Sequence, residues 1–174
     1  MISGDKNKWF NEWNSKMCMD VEQAVEKVER WKSDGRVIVF TNGCFDILHP
    51  GHVAYLTEAR SLGDKLVIGL NSDASVRRLK GDRRPLNDLE DRMKMLAGLS
   101  VTDLMVPFEE DTPLALISNL KPHVLVKGGD YAIGEIVGSE VVLKEGGKVF
   151  SLGFSDNYST TGLIEKILKS YRNV

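Results

Sequence analysis

The chain has 174 residues, of which 42% are hydrophobic and 28% charged, and its net charge is −2. These values are typical of an ordinary globular domain that can bury a substantial core, and they give no reason to expect nucleic acid as the main partner. No apolar run approaches the ~20 residues of a membrane span, and the charged N-terminus lacks a secretory signal, so we expect a cytoplasmic protein without membrane contact.

Residues 1–34 are predicted to form a helical extension, and residues 35–174 the main domain. The first helix of the extension carries large apolar side chains on one face: Trp9, Phe10, Trp13 and Met17. Packing of this face onto the domain is favoured over a partner surface. A second amphipathic helix is predicted between the cap candidate Asp20 and Gly35.

The next stretch has the order strand, glycine-bearing turn, helix. Residues 37–40 are a short apolar run that predicts a buried strand, and residues 53–61 carry a helical apolar spacing. Backbone N–H groups and the positive end of the helix dipole meet at such a turn, so anions bind there. Gly43 and Gly51 would let a phosphate approach the backbone, and Pro50 suits a first helical turn.

His49 and His52 are three residues apart, a spacing that turns both imidazoles to one side of a helix. The pair could also be half of a zinc site or two structural histidines. A phosphate site is favoured, because no third ligand of matching spacing lies nearby.

Cys18 and Cys44 are too few for a disulfide framework and are expected to be reduced thiols.

The following segment, residues 77–85, holds five positive charges and is interrupted by Gly81 and Pro85. These two residues argue against a continuous helix, which leaves a solvated loop or a mobile flap over phosphates as alternatives. Asp88 is then a plausible cap for a helix over residues 89–99 that carries Arg92.

Four further segments read as strands: residues 65–70, 103–107, 122–127 and 148–152. With the first strand they predict an α/β protein, a Rossmann-like open parallel five-stranded sheet with helices on both faces. Lys127 to Tyr131 follow one of these strands, and Tyr158 to Thr161 precede an amphipathic last helix. Both segments are expected at the same edge of the sheet as residues 41–52, and thus in one site.

Residues 40–52, with the sequence His49-Pro50-Gly51-His52, resemble the signature of the nucleotidylyltransferase superfamily that carries a His-x-Gly-His motif. The resemblance implies that His49 and His52 bind nucleotide phosphates and stabilise the transition state at the α-phosphorus. It also implies that Arg92, which follows a matching Pro-x-x-x-Leu-Glu-x-Arg pattern, reaches the phosphates.

Five motifs together look like the family of D-glycero-β-D-manno-heptose 1-phosphate adenylyltransferases, over roughly residues 20–170. They are residues 41–46, 78–81, 89–92, 126–131 and 159–161. The resemblance implies transfer of AMP from ATP to the sugar phosphate, with Mg²⁺, for ADP-heptose in the lipopolysaccharide inner core. It further implies a homodimer, and a separate heptose kinase upstream that supplies the sugar phosphate.

The resemblance also assigns roles to residues, and no metal site made by protein side chains is expected. The catalytic residues would be His49, His52, Arg92 and Lys127. The nucleotide would be bound by Thr41, Asn42, Gly43, Cys44, Phe45, Gly51, Gly128, Asp130, Ser159, Thr160 and Thr161. The acceptor would be bound by Asp46, Lys80 and Tyr131, with Asp46 touching the sugar or the metal.

Two other functions stay open. A glycerol-3-phosphate cytidylyltransferase is disfavoured for two reasons. Phe154 stands where that enzyme has an arginine, and that enzyme lacks the Lys-Gly-Gly-Asp-Tyr sequence found here at residues 127–131. A non-catalytic nucleotide sensor would not need the complete set of phosphate-binding residues.

Overall fold

The computed structural model describes residues 7–153 and 158–171, so Phe154 and residues 1–6 lie outside the described part. Its centre is a five-stranded parallel sheet, as predicted. The strands are β1 (Ile38–Gly43), β2 (Lys65–Asn71), β3 (Leu104–Phe108), β4 (Val124–Gly128) and β5 (Lys148–Leu152). Their order across the sheet is β3-β2-β1-β4-β5, which confirms the Rossmann-like α/β class.

Helices cover both faces of the sheet. They are α1 (Lys8–Ser15), α2 (Val21–Ser33), α3 (Pro50–Arg60), α4 (Asp73–Lys80), α5 (Leu89–Ala97), α6 (Leu114–Leu120), α7 (Ser139–Lys144) and α8 (Thr160–Tyr171), with a 3₁₀ turn at Ile133–Glu135. Side chains of β1 alternate between two buried clusters, because successive residues of a strand point to opposite faces. One cluster includes buried side chains of α2, α6 and α7, and the other includes buried side chains of α3 and α5.

The segment that contains α1 and α2 packs against the sheet and its helices. The Trp13 indole N–H donates to the carbonyl of Lys94 at 3.1 Å, and the residues after α1 pair with Met105 at the β3 edge. The prediction that this apolar face packs onto the domain is confirmed for Trp13 and Met17. Trp9 and Phe10 instead lie on the surface, with exposed fractions of 76% and 59%.

The interpretation of residues 77–85 as non-helical was wrong for its first part, since Arg77 to Lys80 belong to α4. The Ser72 hydroxyl accepts from the amide of Ser75 at 3.1 Å and caps the helix, and Val76 is buried. Gly81 ends it with a positive φ of 90°, a value that favours glycine. The charged composition of α4 concealed the helix, because only three of its eight residues are apolar: Ala74, Val76 and Leu79.

The predicted starts of α2, α3 and α5 are confirmed. Asp20 and Asp88 accept from backbone amides at the starts of α2 and α5, and Pro50 occupies the first turn of α3. Pro113 directly precedes α6, and no side chain caps that helix. Within the described residues, none of the helices is both long and apolar enough to cross a membrane.

Candidate active site

The three predicted motifs meet around one cavity of about 1250 Å³ at the carboxyl edge of the sheet. The end of β1 and the turn after it contribute Asn42 to Asp46, and the start of α3 contributes His49 and His52. β4 and the loop after it contribute Lys127 and Tyr131, and the start of α8 contributes Tyr158 to Gly162. Parallel strands end together at this edge, and open α/β sheets bind ligands there. The cavity exceeds the roughly 300–1,000 Å³ of a typical ligand pocket, so it has room for two substrates.

His49 and His52 lie face to face at the start of α3. Their ring centroids are 3.7 Å apart with an angle of 18° between the planes. His49 is the residue that caps the helix, and its Nδ1 accepts from the backbone N–H of His52 at 3.3 Å. Because an accepting Nδ1 carries no proton, the neutral ring of His49 keeps its proton on Nε2, where it can be donated to an anion.

The protein lowers the pKa of both imidazoles. Burial lowers the pKa of His49. Burial, together with the neighbouring His49, lowers the pKa of His52 to about 4, although an interaction with the Ile47 backbone acts in the opposite direction. Both rings are therefore neutral at pH 7 in the absence of ligand. The buried Nδ1 of His52 makes no hydrogen bond of good geometry within the described part of the chain. A bound anion would favour the protonated rings and raise both pKa values.

Two helices begin at the same cavity. The Ser159 hydroxyl accepts from the amide of Gly162 at 3.0 Å in the first turn of α8, beside the first turn of α3. The closeness of the two turns is visible at Gly51, where an added Cβ would lie 2.9 Å from Cβ of Tyr158 and 3.2 Å from Nδ1 of His49. The N-termini of α3 and α8 thus present their backbone N–H groups and positive dipole ends to one space.

Positive side chains dominate the rest of the wall: Lys80, Arg84, Lys127 and Lys166. Burial lowers the pKa of Lys127, and the nearby Lys80 acts in the same direction. Burial also raises the pKa of the Cys44 thiol, so this thiol is protonated at neutral pH and is a poor nucleophile. The wall is suited to binding phosphate groups rather than to covalent chemistry on the protein.

Several predicted nucleotide-binding residues do not line the main cavity. Thr41 is fully buried, and its hydroxyl is 2.6 Å from that of Tyr55. Gly128 lines a smaller recess of about 110 Å³ that shares Asn42 to Phe45 with the main cavity. The Asp130 side chain is exposed and, among the described residues, does not belong to the cavity wall.

Asp46 and Arg92 were predicted to contact substrate, but both have partners within the protein. The Asp46 carboxylate is buried and accepts from the amides of Leu86 and Asn87 at 2.8 and 2.9 Å and from the Arg84 guanidinium. Arg92 is 1% exposed and donates to Asp73 and to two backbone carbonyls. Their roles in binding stay predictions.

Sequence reasoning assigned no role to two basic residues of the wall, Arg84 and Lys166. Lys166 lies four residues after Gly162 on α8, so the helical spacing from the Ser-Thr-Thr motif could have indicated it. Arg84 was included in the basic segment without a role. Asp111 and Glu135 also line the cavity, but residues 7–153 and 158–171 contain no group of three metal-ligating side chains.

Comparison with known proteins shows similarity over most of the chain. A family model described as cytidylyltransferase-like matches residues 40–166. The bifunctional protein HldE of Geobacter sulfurreducens is 60% identical over 140 residues, which are 80% of this chain and 29% of that protein. HldE of Hahella chejuensis is 55% identical over 152 residues, which are 87% of this chain and 32% of that protein. The chain thus spans about 30% of the length of these curated relatives.

Solved structures share the fold. The lipopolysaccharide core biosynthesis protein of Thermoplasma volcanium is 30% identical, with a TM-score of 0.56 over 72% of this chain and 100% of that one. The pantoate–β-alanine ligase of Francisella tularensis is 15% identical, with a TM-score of 0.55 over 88% of this chain and 77% of that one. At this identity the second likeness concerns the fold alone.

Proposed function

The chain belongs to the cytidylyltransferase-like family, and from this premise we propose that it transfers AMP from ATP to D-glycero-β-D-manno-heptose 1-phosphate, with release of pyrophosphate. The motifs at residues 41–46, 126–131 and 159–161 support this choice of substrates through their resemblance to the heptose enzymes. Identities of 52–60% to proteins named bifunctional, over about 30% of their length, support assigning one of their activities to the matched region.

The observation that carries the proposal is the meeting of two neutral imidazoles and two helix N-termini at one cavity. A phosphate oxygen of the sugar attacks the α-phosphorus of ATP, the new P–O bond forms in line with the bond to the β-phosphate, and pyrophosphate leaves with that bond's electrons. The attacking phosphate is already ionised at pH 7, so no general base is needed. Catalysis then consists of positioning the two substrates and stabilising negative charge.

The residues divide this work by their position. His49, through its Nε2–H, and His52 are beside the first turn of α3 and would stabilise charge at the α-phosphorus. The backbone amides and hydroxyls of residues 159–161 would hold the outer phosphates, with Lys166 on the same helix. Lys127 and Lys80 lie near Cys44, where the acceptor phosphate would bind.

Mg²⁺ is part of the proposal as a companion of ATP. The described residues form no carboxylate cluster that would hold the ion alone. Mg²⁺ keeps several waters and is commonly bound through substrate phosphates, and it supplies charge neutralisation to the triphosphate. A cytoplasmic location, a homodimer and a separate kinase that makes the sugar phosphate complete the proposal.

A substrate panel tests the function. Pyrophosphate release is measured with ATP or CTP and with heptose 1-phosphate, glycerol 3-phosphate or pantetheine phosphate as acceptor. We expect turnover with ATP and heptose 1-phosphate. Preference for CTP with glycerol 3-phosphate would contradict the proposal, and so would ATP binding without release from any acceptor, which is the behaviour of a sensor.

A further inference from the structure

Phe45 is an unusual residue at the centre of the turn between β1 and α3. Its φ is +46°, in the left-handed region that residues with a side chain rarely adopt. Such a conformation persists only where the surroundings hold it. The ring of Phe45 is buried and lies 5.2 Å from the ring of His52, measured between centroids. The backbone of Phe45 therefore determines the surface against which His52 packs.

Arg92 holds the carbonyl group on the N-terminal side of Phe45. Its Nη1 donates to the carbonyl of Cys44 at 2.7 Å, while Nη2 donates to Asp73 at 2.7 Å and Nε donates to the carbonyl of Asn87 at 3.1 Å. All three nitrogens of the guanidinium are thus bonded to the protein. The pair with Asp73 fixes the direction in which the group can donate to Cys44.

The residue after Phe45, Asp46, is held through Asn87. The side-chain amide of Asn87 donates to the carbonyl of Asp46, and the backbone amide of Asn87 donates to the Asp46 carboxylate at 2.9 Å. Since Arg92 also donates to the carbonyl of Asn87, it supports both neighbours of Phe45: Cys44 directly, and Asp46 through Asn87. Removal of this support would let Phe45 relax and its ring move away from His52.

Arg92 is poorly placed to contact a ligand in this arrangement. Its side chain has no exposed surface, and it is not among those described residues that line the cavity. Because the guanidinium is fully buried, a phosphate could reach it only if the packing around it opened. We propose that Arg92 is a positioning residue, which fixes Phe45 and through it the His52 imidazole, and that it does not bind the triphosphate.

This inference rests on the proposed function for its kinetic readout and replaces the role that the family resemblance implies for Arg92. The variant Arg92→Lys keeps the charge but has one nitrogen in place of the planar fork, so it cannot reach all three acceptors of the guanidinium. We expect kcat to fall about 10²-fold, the loss typical of a catalytic group displaced by about 1 Å. The KM for ATP should stay within about twofold, because the ground-state contacts to the phosphates are retained.

Two further variants separate positioning from direct binding. Asp73→Asn, which removes the charge that pairs with the guanidinium, should lower kcat in the same way but less. The double variant should lose less than the product of the two single effects, since both act through one network. Arg77→Lys, an exposed arginine on α4, is the matched control and should leave kcat unchanged.

The decisive readout needs no substrate. In the ligand-free protein, the NMR resonance of the His52 ring should shift in Arg92→Lys and in Asp73→Asn but not in Arg77→Lys. An unchanged His52 resonance, together with a KM for ATP raised tenfold or more and a neutral Asp73→Asn, would overturn the inference. If the unsubstituted protein releases no pyrophosphate with any acceptor, the proposed function fails, while the ligand-free comparison still tests the positioning role.

Discussion

Gly51 is the point at which the two helix N-termini of the site touch, and the substitution Gly51→Ala perturbs both at once. An added Cβ would lie 2.9 Å from Cβ of Tyr158, 3.2 Å from Nδ1 of His49 and 3.3 Å from Cε1 of His49. Gly51 is in the first turn of α3 without a positive φ, so alanine suits its backbone conformation. The whole effect must therefore come from the crowding of the first turns of α3 and α8.

The size of the displacement follows from these distances. Carbon atoms pack at about 3.5–4.0 Å, so Tyr158 and the start of α8 must move by roughly 0.6–1.1 Å. A displacement near 1 Å in a group that positions substrate costs about 10²-fold in rate, equivalent to about 2.7 kcal/mol of activation free energy. Stability should change little, because alanine favours the helix by up to about 1 kcal/mol over glycine and offsets part of the crowding.

Two assays test this prediction: pyrophosphate release reports kcat, and thermal unfolding reports stability. Gly51→Ala should lower kcat with ATP and heptose 1-phosphate about 10²-fold while the midpoint of unfolding moves by only a few degrees. The control is Gly98→Ala after α5, where the closest atom to an added Cβ is at 3.4 Å and the residue does not line the cavity. Full activity of Gly51→Ala would refute the reasoning that the two N-termini act as one site.

Three further predictions follow from the same geometry. His49→Ala and His52→Ala should each lower kcat by about 10²–10³ while the fold persists, and near-normal turnover of either would remove its assignment. Because the folded pKa of His52, about 4, is below its ordinary value of 6.5, the unfolded chain gains the proton first. The free energy of unfolding should thus fall as pH drops from 6.5 towards 4, and equilibrium urea unfolding should show a weaker pH dependence in His52→Gln. Trp13→Ala should destabilise the protein by roughly 2 kcal/mol, because it removes a partly buried ring and its bond to Lys94, whereas Trp9→Ala should stay within about 0.5 kcal/mol in the same assay.

Much of the fold follows from local sequence patterns. Apolar runs of four to six residues gave the strand positions, and β5 begins and ends at the predicted residues. Asp20 and Asp88 could be identified as caps because an aspartate just before an amphipathic segment commonly accepts a hydrogen bond from a backbone N–H of the first helical turn. α4 was missed in part because its bounds are set by Ser72 and Gly81, while most of its residues are polar or charged.

The internal partners of the charged residues could not be predicted in the same way. Whether Arg92 meets a phosphate or Asp73 depends on how α4 and α5 pack on the sheet, and sequence spacing carries no information about that contact. The same holds for Asp46, whose carboxylate is satisfied by amides about 40 residues away. The left-handed conformation of Phe45 has no local signal either, since the residue is not a glycine.

The central claim is that the imidazoles of His49 and His52 and the first turns of α3 and α8 bind one triphosphate. A crystal structure with α,β-methylene ATP and Mg²⁺ tests this claim most directly. We expect the α-phosphate within hydrogen-bond distance of the two imidazoles, and the outer phosphates at the amides of residues 159–161. A triphosphate bound away from both imidazoles would contradict the account.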